Sequence, residues 1–438
     1  MPDAPWKYAL STTQALQAYQ VMRFGSLLLT SVLLAKSGLS TAAIGSYELL
    51  LYLGSIVAFF WVNGLLQGMP PMFARLGENE RKAFIFNVFL IFCGIALVLF
   101  GLLYWGERRV SPLLTGQGDL LCYRWFCVYL LFNLPTFPVE IIYLLQDRPR
   151  QIVAWGAASF GSYVVALFLP ILLGYGLCGG LAALAVWSIL RWLWALGLVF
   201  QVGLPQFRLE LWKRYLTFSW PLILSVLVGN CVLLFDNWLV GWYYHDEAVF
   251  AIFRYGSREL PLATALATAL GTSIIPLLAA EPGFGMDQLK SKGLGLMHLL
   301  FPVTIVLLFV SGPLFPLVFN ANFAASAPLF NIYLLLTASR VLLPNAIILA
   351  RGHSAVLFRV GLIELAVKIG LGLLMIRWFG LAGLAWSAVL AFWVEKLALI
   401  WFLEKKAGVP TSSWLEKRWY GRYLLALSAA WLLSWLIG

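Results

Sequence analysis

The chain has 438 residues, 62% of them hydrophobic and 11% charged, with a formal net charge of +11 and a mean hydropathy of +0.87. Soluble domains carry about 25% charged residues, so this chain cannot coat two or three soluble cores with polar surface. Long apolar runs broken by short charged segments predict an all-α polytopic membrane protein, since helices satisfy their own backbone in hydrocarbon and the alternation of a membrane barrel is missing.

Spans of roughly 20 residues fall near 13–35, 43–69, 83–105, 121–145, 152–174, 180–202, 216–241, 248–279, 294–318, 325–349, 355–378, 381–403 and 423–438. The last is short, giving twelve core helices and one appended helix. No signal peptide is expected before the first span, whose N-terminal flank is polar. In span one, Thr13, Gln17, Gln20, Arg23, Ser26 and Thr30 recur three or four residues apart and share one side of the helix. The rest of that helix is Leu, Val, Met, Phe and Ala, so the polar sector predicts a wet cavity. Span four carries Glu140, and span six carries Arg191, which can snorkel. The inter-lobe linker is Arg208-Leu209-Glu210-Leu211-Trp212-Lys213-Arg214. Span seven opens with Phe218-Ser219-Trp220-Pro221-Leu222 and holds Asp236 near its end.

Span eight, read as one helix, lines up Arg254, Arg258, Pro261, Ala265, Thr268 and Thr272 on a narrow face, with Arg258 roughly 15 Å below the outer end. Glu259, about 100° round the same helix, should point elsewhere. Span ten holds Arg340. Span eleven holds Glu364 and Lys368, an i, i+4 pair, and span twelve carries Glu395 and Lys396 toward its cytoplasmic end. A charge at mid-bilayer costs about 2.5–3.5 kcal/mol, so these residues face protein or water, as ion pairs, as snorkelling chains or as a site.

With a cytoplasmic N-terminus, the inside segments hold 18 Lys and Arg, from Lys7 to Arg422, and the outside segments hold five: Lys36, Arg108, Arg109, Arg124 and Arg377. The positive-inside rule therefore predicts that orientation. Topology and contact with anionic lipid account for the net charge, and no nucleic-acid partner is expected.

The chain also repeats. Tyr175-Gly176-Leu177-Cys178-Gly179 and Phe379-Gly380-Leu381-Ala382-Gly383 join adjacent spans 204 residues apart. At the same offset Gln146-Asp147-Arg148-Pro149-Arg150 faces Ala350-Arg351-Gly352-His353-Ser354. A shorter echo sets Gly45-Ser46-Tyr47-Glu48-Leu49 against Gly256-Ser257-Arg258-Glu259-Leu260. An even number of spans between copies makes the repeats parallel, a transporter signature. The expected architecture is two six-helix lobes related by a pseudo-two-fold along the membrane normal, residues 1–205 and 206–405. Residues 406–438 supply a linker and a short extra C-terminal helix. The lobes would rock about a cleft.

The aromatic-Gly-x-x-Gly turns, the Phe218–Leu222 segment and Asp236 resemble the polysaccharide (O-antigen, Wzx-type) flippases of the multidrug/oligosaccharidyl-lipid/polysaccharide exporter superfamily, over roughly residues 10–405. That resemblance implies a two-lobe fold in a bacterial inner membrane. Its substrate would be a lipid-linked oligosaccharide on polyprenyl diphosphate, moved outward for surface polysaccharide or lipopolysaccharide synthesis. Arginine suits a diphosphate, because its planar fork stays charged and donates paired hydrogen bonds. Arg23, Arg254, Arg258 and Arg340, with Gln20, are the candidate head-group residues, set against plain ion pairing. In relatives of the lipid II flippase an acid on the seventh span joins polar residues of the eleventh around sodium. Here Lys368 and Gly372 stand where Asn is expected, so Asp236, Glu364 and Lys368 read as a coupling site for a proton rather than sodium, against a fixed salt bridge.

Cys93, Cys122, Cys127, Cys178 and Cys231 show no metal or redox spacing and read as small buried apolar residues. The three histidines are scattered, so neither a metal nor a cofactor is expected. Trp61, Trp105, Trp155, Trp212, Trp242, Trp378 and Trp401 read as interfacial anchors. Loops under about 20 residues disfavour an enzyme such as a polytopic glycosyltransferase or polysaccharide ligase. The sequence also admits a multidrug or metabolite exporter of the same fold, and less readily a non-transporting scaffold, which would not need cleft-facing arginines.

Overall fold

The computed structural model describes residues 12–116 and 120–437. Lys7 and Gly438, used in the span and charge assignments, lie outside the described residues, as do the side chains of Thr13 and Pro261. Every regular element among the described residues is helical, and several of the helices are long and apolar enough to cross a bilayer. The protein is an all-α polytopic membrane protein.

The chain divides into two compact units, one of residues 1–230 and 241–248, the other of residues 231–240 and 249–438. The first contains α1 (Thr12–Lys36), α2 (Thr41–Ala74), α3 (Glu78–Thr115), α4 (Tyr123–Asn133), α5 (Val139–Leu145), α6 (Pro149–Pro170) and α7 (Gly176–Val202). α8 (Leu209–Tyr244) contributes to both units. The starts are written in the sequence. Ser40 caps α2 by accepting from Ala43 N at 3.1 Å, and Glu78 and Glu80 place negative charge on the first turn of α3. α3 stops at Gly116, whose φ of 75° is the left-handed cap that glycine permits. Pro135 and Pro138 break span four into α4, a 3-10 turn over Leu134–Thr136, and α5. Close packing needs small residues: a β-carbon on Gly64 would lie 2.6 Å from Ile223 Cα, and one on Gly156 2.8 Å from the Tyr19 ring. The linker is fastened rather than free, because Asn87 of α3 donates to Gln206 O at 2.8 Å and accepts from Arg208 N and Trp212 Nε1, each at 3.0 Å.

The second unit contains α9 (Glu247–Gly256, from residue 249), α10 (Pro261–Ala280), α11 (Pro282–Val318), α12 (Ser326–Leu334), α13 (Leu336–Arg340), α14 (Pro344–Ala350), α15 (Ser354–Lys405) and α16 (Lys417–Ile437). α16 begins six residues before the expected start. It is part of the core: Tyr423 stacks on Phe301 of α11 at 4.8 Å, Tyr420 donates to Ala338 O at 3.0 Å, and Leu427 and Ala430 are buried.

The internal repeat has a local structural basis. Gly176 (φ 64°, ψ −165°) and Gly380 (φ 59°, ψ −141°) turn the chain in nearly the same left-handed conformation, at the 204-residue offset. The buried Leu184, Ala185, Ala195 and Val199 of α7 recur at that offset as Ala388, Val389, Leu399 and Leu403. The hairpin before α6 repeats at 205. Arg148 N bonds Tyr143 O and His353 N bonds Ile348 O, each at 3.0 Å, with Asp147 (φ 53°) and Gly352 (φ 76°) as the left-handed residues. A single-residue difference in length therefore separates the two turns. The Gly45/Gly256 echo does not hold, for Gly45 to Leu49 lie within α2 whereas Ser257 to Leu260 form a break.

Three further expectations are corrected. Cys122 and Cys178 form a disulfide with Cα atoms 5.2 Å apart, because the start of α4 meets the α6–α7 turn. Of the free cysteines Cys127 is buried, Cys93 half-buried and Cys231 exposed. Trp61 and Trp155 are buried, and Trp61 donates to Val57 O at 2.8 Å, so neither is an interfacial anchor. Arg191 does not snorkel: it lies between the rings of Trp155 and Trp187, 4.8 and 4.7 Å from their centroids.

Candidate functional site

In the first unit a cavity of about 450 Å³ is lined by Gln20 and Arg23 of α1, Ser55, Asn63 and Gln67 of α2, and Tyr129, Asn133 and Glu140 around the α4–α5 break. The proline-broken span makes this wall. Where Leu134 to Pro138 leave the α-helical path, Asn133 and Glu140 turn toward the same space, and Thr136 satisfies the freed Asn133 carbonyl with a 2.7 Å hydrogen bond. Phe59, Phe126 and Phe137 complete the lining. Asn133 is held at both ends of its amide, by Arg191 Nη1 at 2.6 Å and by the Tyr129 hydroxyl at 3.1 Å. Tyr19, packed edge-on against Phe160 of α6, brings its hydroxyl to the Glu140 carboxylate.

Two arginines against one carboxylate leave the region positive. Arg191 acts from behind the wall through Asn133, whereas Arg23 reaches the cavity, and among the described residues it has no ion-pair partner. The stripe on α1 is thus divided. Gln20 and Arg23 meet the cavity, Ser26 and Thr30 are buried, and Ser26 returns its hydroxyl to Arg23 O at 2.8 Å. The opposite face, with Val21, Phe24 and Leu28, is exposed and suits lipid. Of the residues expected from sequence to hold a head group, the cavity brings together Gln20 and Arg23; sequence reasoning did not single out Asn133 and Tyr129, or the contact of Arg191 with Asn133. The signal for them was the pair of prolines in span four.

The second unit gathers its charges around α15. Lys368 Nζ lies 3.1 Å from Asp236 Oδ2, with both side chains almost fully buried, and the Tyr333 hydroxyl donates to the same oxygen at 3.1 Å. Glu364, one turn before Lys368, is buried as well. Among the described residues neither Asp236 Oδ1 nor Glu364 Oε1 has a hydrogen-bond partner. A close approach brings α8 to this place, since Gly372 would press any β-carbon to 2.8 Å from the Phe235 ring. Nearby, Lys396 pairs with Glu395 at 3.1 Å, and Asn345 bridges both, each at 3.3 Å.

The remaining arginines are placed differently from the reading of span eight as one helix. That span breaks at Ser257 to Leu260, between α9 and α10, because Pro261 starts a new helix and disfavours helical backbone before it. Arg254 therefore lies on α9 and Arg258 in the break, so they share no helical face. Arg258 lies 4.8 Å from the centroid of Tyr255, itself stacked on Phe323 at 4.3 Å, and Arg254 has interactions of its own. Glu259 meets Arg340 in a two-pronged pair at 2.9 and 2.7 Å, with the Phe392 ring centroid 4.3 Å from the guanidinium.

Comparison with known proteins agrees with this architecture. The structure of "Lipid II flippase MurJ, inward closed conformation" superposes with a TM-score of 0.68 and 17% identity, covering 96% of this chain and 98% of that one. An inward-facing multidrug resistance MATE transporter of the MOP superfamily gives 0.59 at 15% identity, covering 91% and 98%. A MOP superfamily transporter from Pyrococcus furiosus gives 0.56 at 16%, covering 91% and 96%. No curated protein sequence matches. These likenesses establish the fold. A family model described as "Lipid II flippase MurJ" matches residues 157–437, well over half of the length, and the chain belongs to the lipid II flippase MurJ family.

Proposed function

We propose that the protein flips a lipid-linked saccharide, carried on polyprenyl diphosphate, across the bacterial cytoplasmic membrane by alternating access. The lobes would be residues 1–205 and 206–405, with residues 406–438 appended. The single observation that carries this reading is the positive cavity in the first unit, where Arg23 faces neutral polar groups and Glu140. A diphosphate could take paired hydrogen bonds from Arg23, and Gln20, Asn63 and Gln67 suit sugar hydroxyls. The glycan of this proposal is a surface polysaccharide precursor, as the resemblance of the aromatic-Gly-x-x-Gly turns to polysaccharide flippases implies. The N-terminus is cytoplasmic in this reading. The Cys122–Cys178 disulfide supports it, lying at the end assigned outside, where an oxidising compartment preserves disulfides.

Asp236, Glu364 and Lys368 form the coupling site of this proposal. Two carboxylates and one ammonium carry one net negative charge, which a proton can cancel. Cancelling it weakens the grip of α8 on α15, and a ligand shifts a conformational equilibrium only through such differential affinity.

The test is flipping in proteoliposomes of a fluorescent polyprenyl-diphosphate oligosaccharide beside lipid II. The oligosaccharide should flip faster, driven by a pH gradient. Arg23→Gln should lower the rate at least about tenfold, the value of a charge-assisted hydrogen bond, without loss of folded protein. Extrusion of a drug with neither lipid flipped would overturn the reading. Dependence on sodium with indifference to pH would overturn the coupling.

A further inference from the structure

Three of the five basic residues that the sequence assigns to the outer side converge in one place. Arg108 and Arg109 at the end of α3, and Arg124 in the first turn of α4, line an open groove of about 1010 Å³ with Val98, Leu102 and Trp105. Its floor is lipid-facing: Val98 is 61%, Leu102 60% and Trp105 82% exposed. Gly101 lets the indole lie flat along α3, with a ring carbon 3.2 Å from where a β-carbon would stand. Arg124 stacks 5.5 Å from the Tyr104 centroid and meets Glu107 at 3.4 Å with its side chain 70% exposed. Among the described residues that is the one ion pair of the three arginines, and the groove lining sets three arginines against the single carboxylate of Glu107.

The arrangement is graded along the helix, from aliphatic wall to interfacial tryptophan to guanidinium cluster. That is the order of acyl chain, glycerol backbone and phosphate in a phospholipid. Topology does not explain it, because the positive-inside rule disfavours arginines here. We propose that this groove binds the head group of an anionic phospholipid of the phosphatidylglycerol class in the outer leaflet. The choice of leaflet rests on the proposed cytoplasmic N-terminus, whereas the binding chemistry does not.

Native mass spectrometry of the full-length protein in detergent, titrated with phosphatidylglycerol, phosphatidylethanolamine or a polyprenyl diphosphate, tests it. Phosphatidylglycerol should be retained in preference to phosphatidylethanolamine. The double variant R108Q/R109Q should weaken that retention about thirtyfold, two charges at the usual surface value for each. R108K/R109K should keep most of it, which separates charge from misfolding. Equal retention of the two phospholipids, an unchanged R108Q/R109Q variant, or a polyprenyl diphosphate that alone responds to these substitutions would overturn the proposal. Labelling of Arg109→Cys by an impermeant maleimide in intact spheroplasts should succeed. Its failure would overturn the leaflet and the orientation while leaving the binding result standing.

Discussion

Replacing Lys368 by methionine removes an ammonium that is 3% exposed and sits 3.1 Å from a carboxylate that is 6% exposed. At an effective dielectric constant of about 20 the attraction over that distance is about 5 kcal/mol, though both groups lose hydration to obtain it. Truncating one member of a buried pair costs about 3–5 kcal/mol, because the other is stranded. The Tyr333 hydroxyl remains on Asp236 Oδ2, so K368M should fall near the lower end, about 3 kcal/mol. Asp236→Asn should cost a similar amount, leaving a buried ammonium 5.9 Å from the Phe392 ring. The double variant D236N/K368M strands neither member of the pair, leaving only Glu364 without its nearby ammonium, and should lose no more than about 2 kcal/mol, giving a coupling energy of about 4 kcal/mol. Unfolding of each purified variant in mixed detergent, followed by tryptophan fluorescence, reads these differences. Single-variant losses that simply add in the double variant would refute the pair as an energetic unit, and with it the coupling site built on it.

Other expectations follow from the same geometry. Arg191→Lys keeps the charge but not the stacking between Trp155 and Trp187, and should lower thermal stability and flipping together, whereas Arg23→Gln lowers flipping alone. Denatured without reductant, the protein should titrate three thiols, Cys93, Cys127 and Cys231, and five after reduction. The C122S/C178S variant should lose up to about 4 kcal/mol, the loop entropy of a 56-residue separation. Gly64→Ala places a β-carbon 2.6 Å from Ile223 Cα, and expression of folded protein should drop sharply against Gly25→Ala, which meets nothing within 4 Å. Exchanging the charges in E259R/R340E should restore much of what either single exchange removes, since the pair is two-pronged.

The all-α polytopic class was legible because hydrocarbon tolerates few solutions. The repeat was legible at Gly176 and Gly380, where only a left-handed residue turns the chain. It blurred at Asp147 and Gly352, since an aspartate can take the glycine's conformation one position out of register. Helical spacing put Gln20 and Arg23 on one face of α1 correctly, because no proline interrupts that helix. The same reasoning failed at Arg258, where Pro261 ends the periodicity it relies on. The disulfide was hidden because residues 122 and 178 meet only through the packing of α4 against α7. The partners of Asp236 were visible as charges on span eleven, while Tyr333 carried no distinguishing pattern.

The bond between Cys122 and Cys178 closes a covalent ring around α4, α5 and α6. No segment of that ring can be drawn back through the membrane once it is shut. The ring can close only after both sulfurs have arrived on one side, so its oxidation records that these helices have been inserted and paired. In a pulse-chase the appearance of the oxidised form would mark a step of biogenesis, and a stalled α6 would leave both thiols open to alkylation.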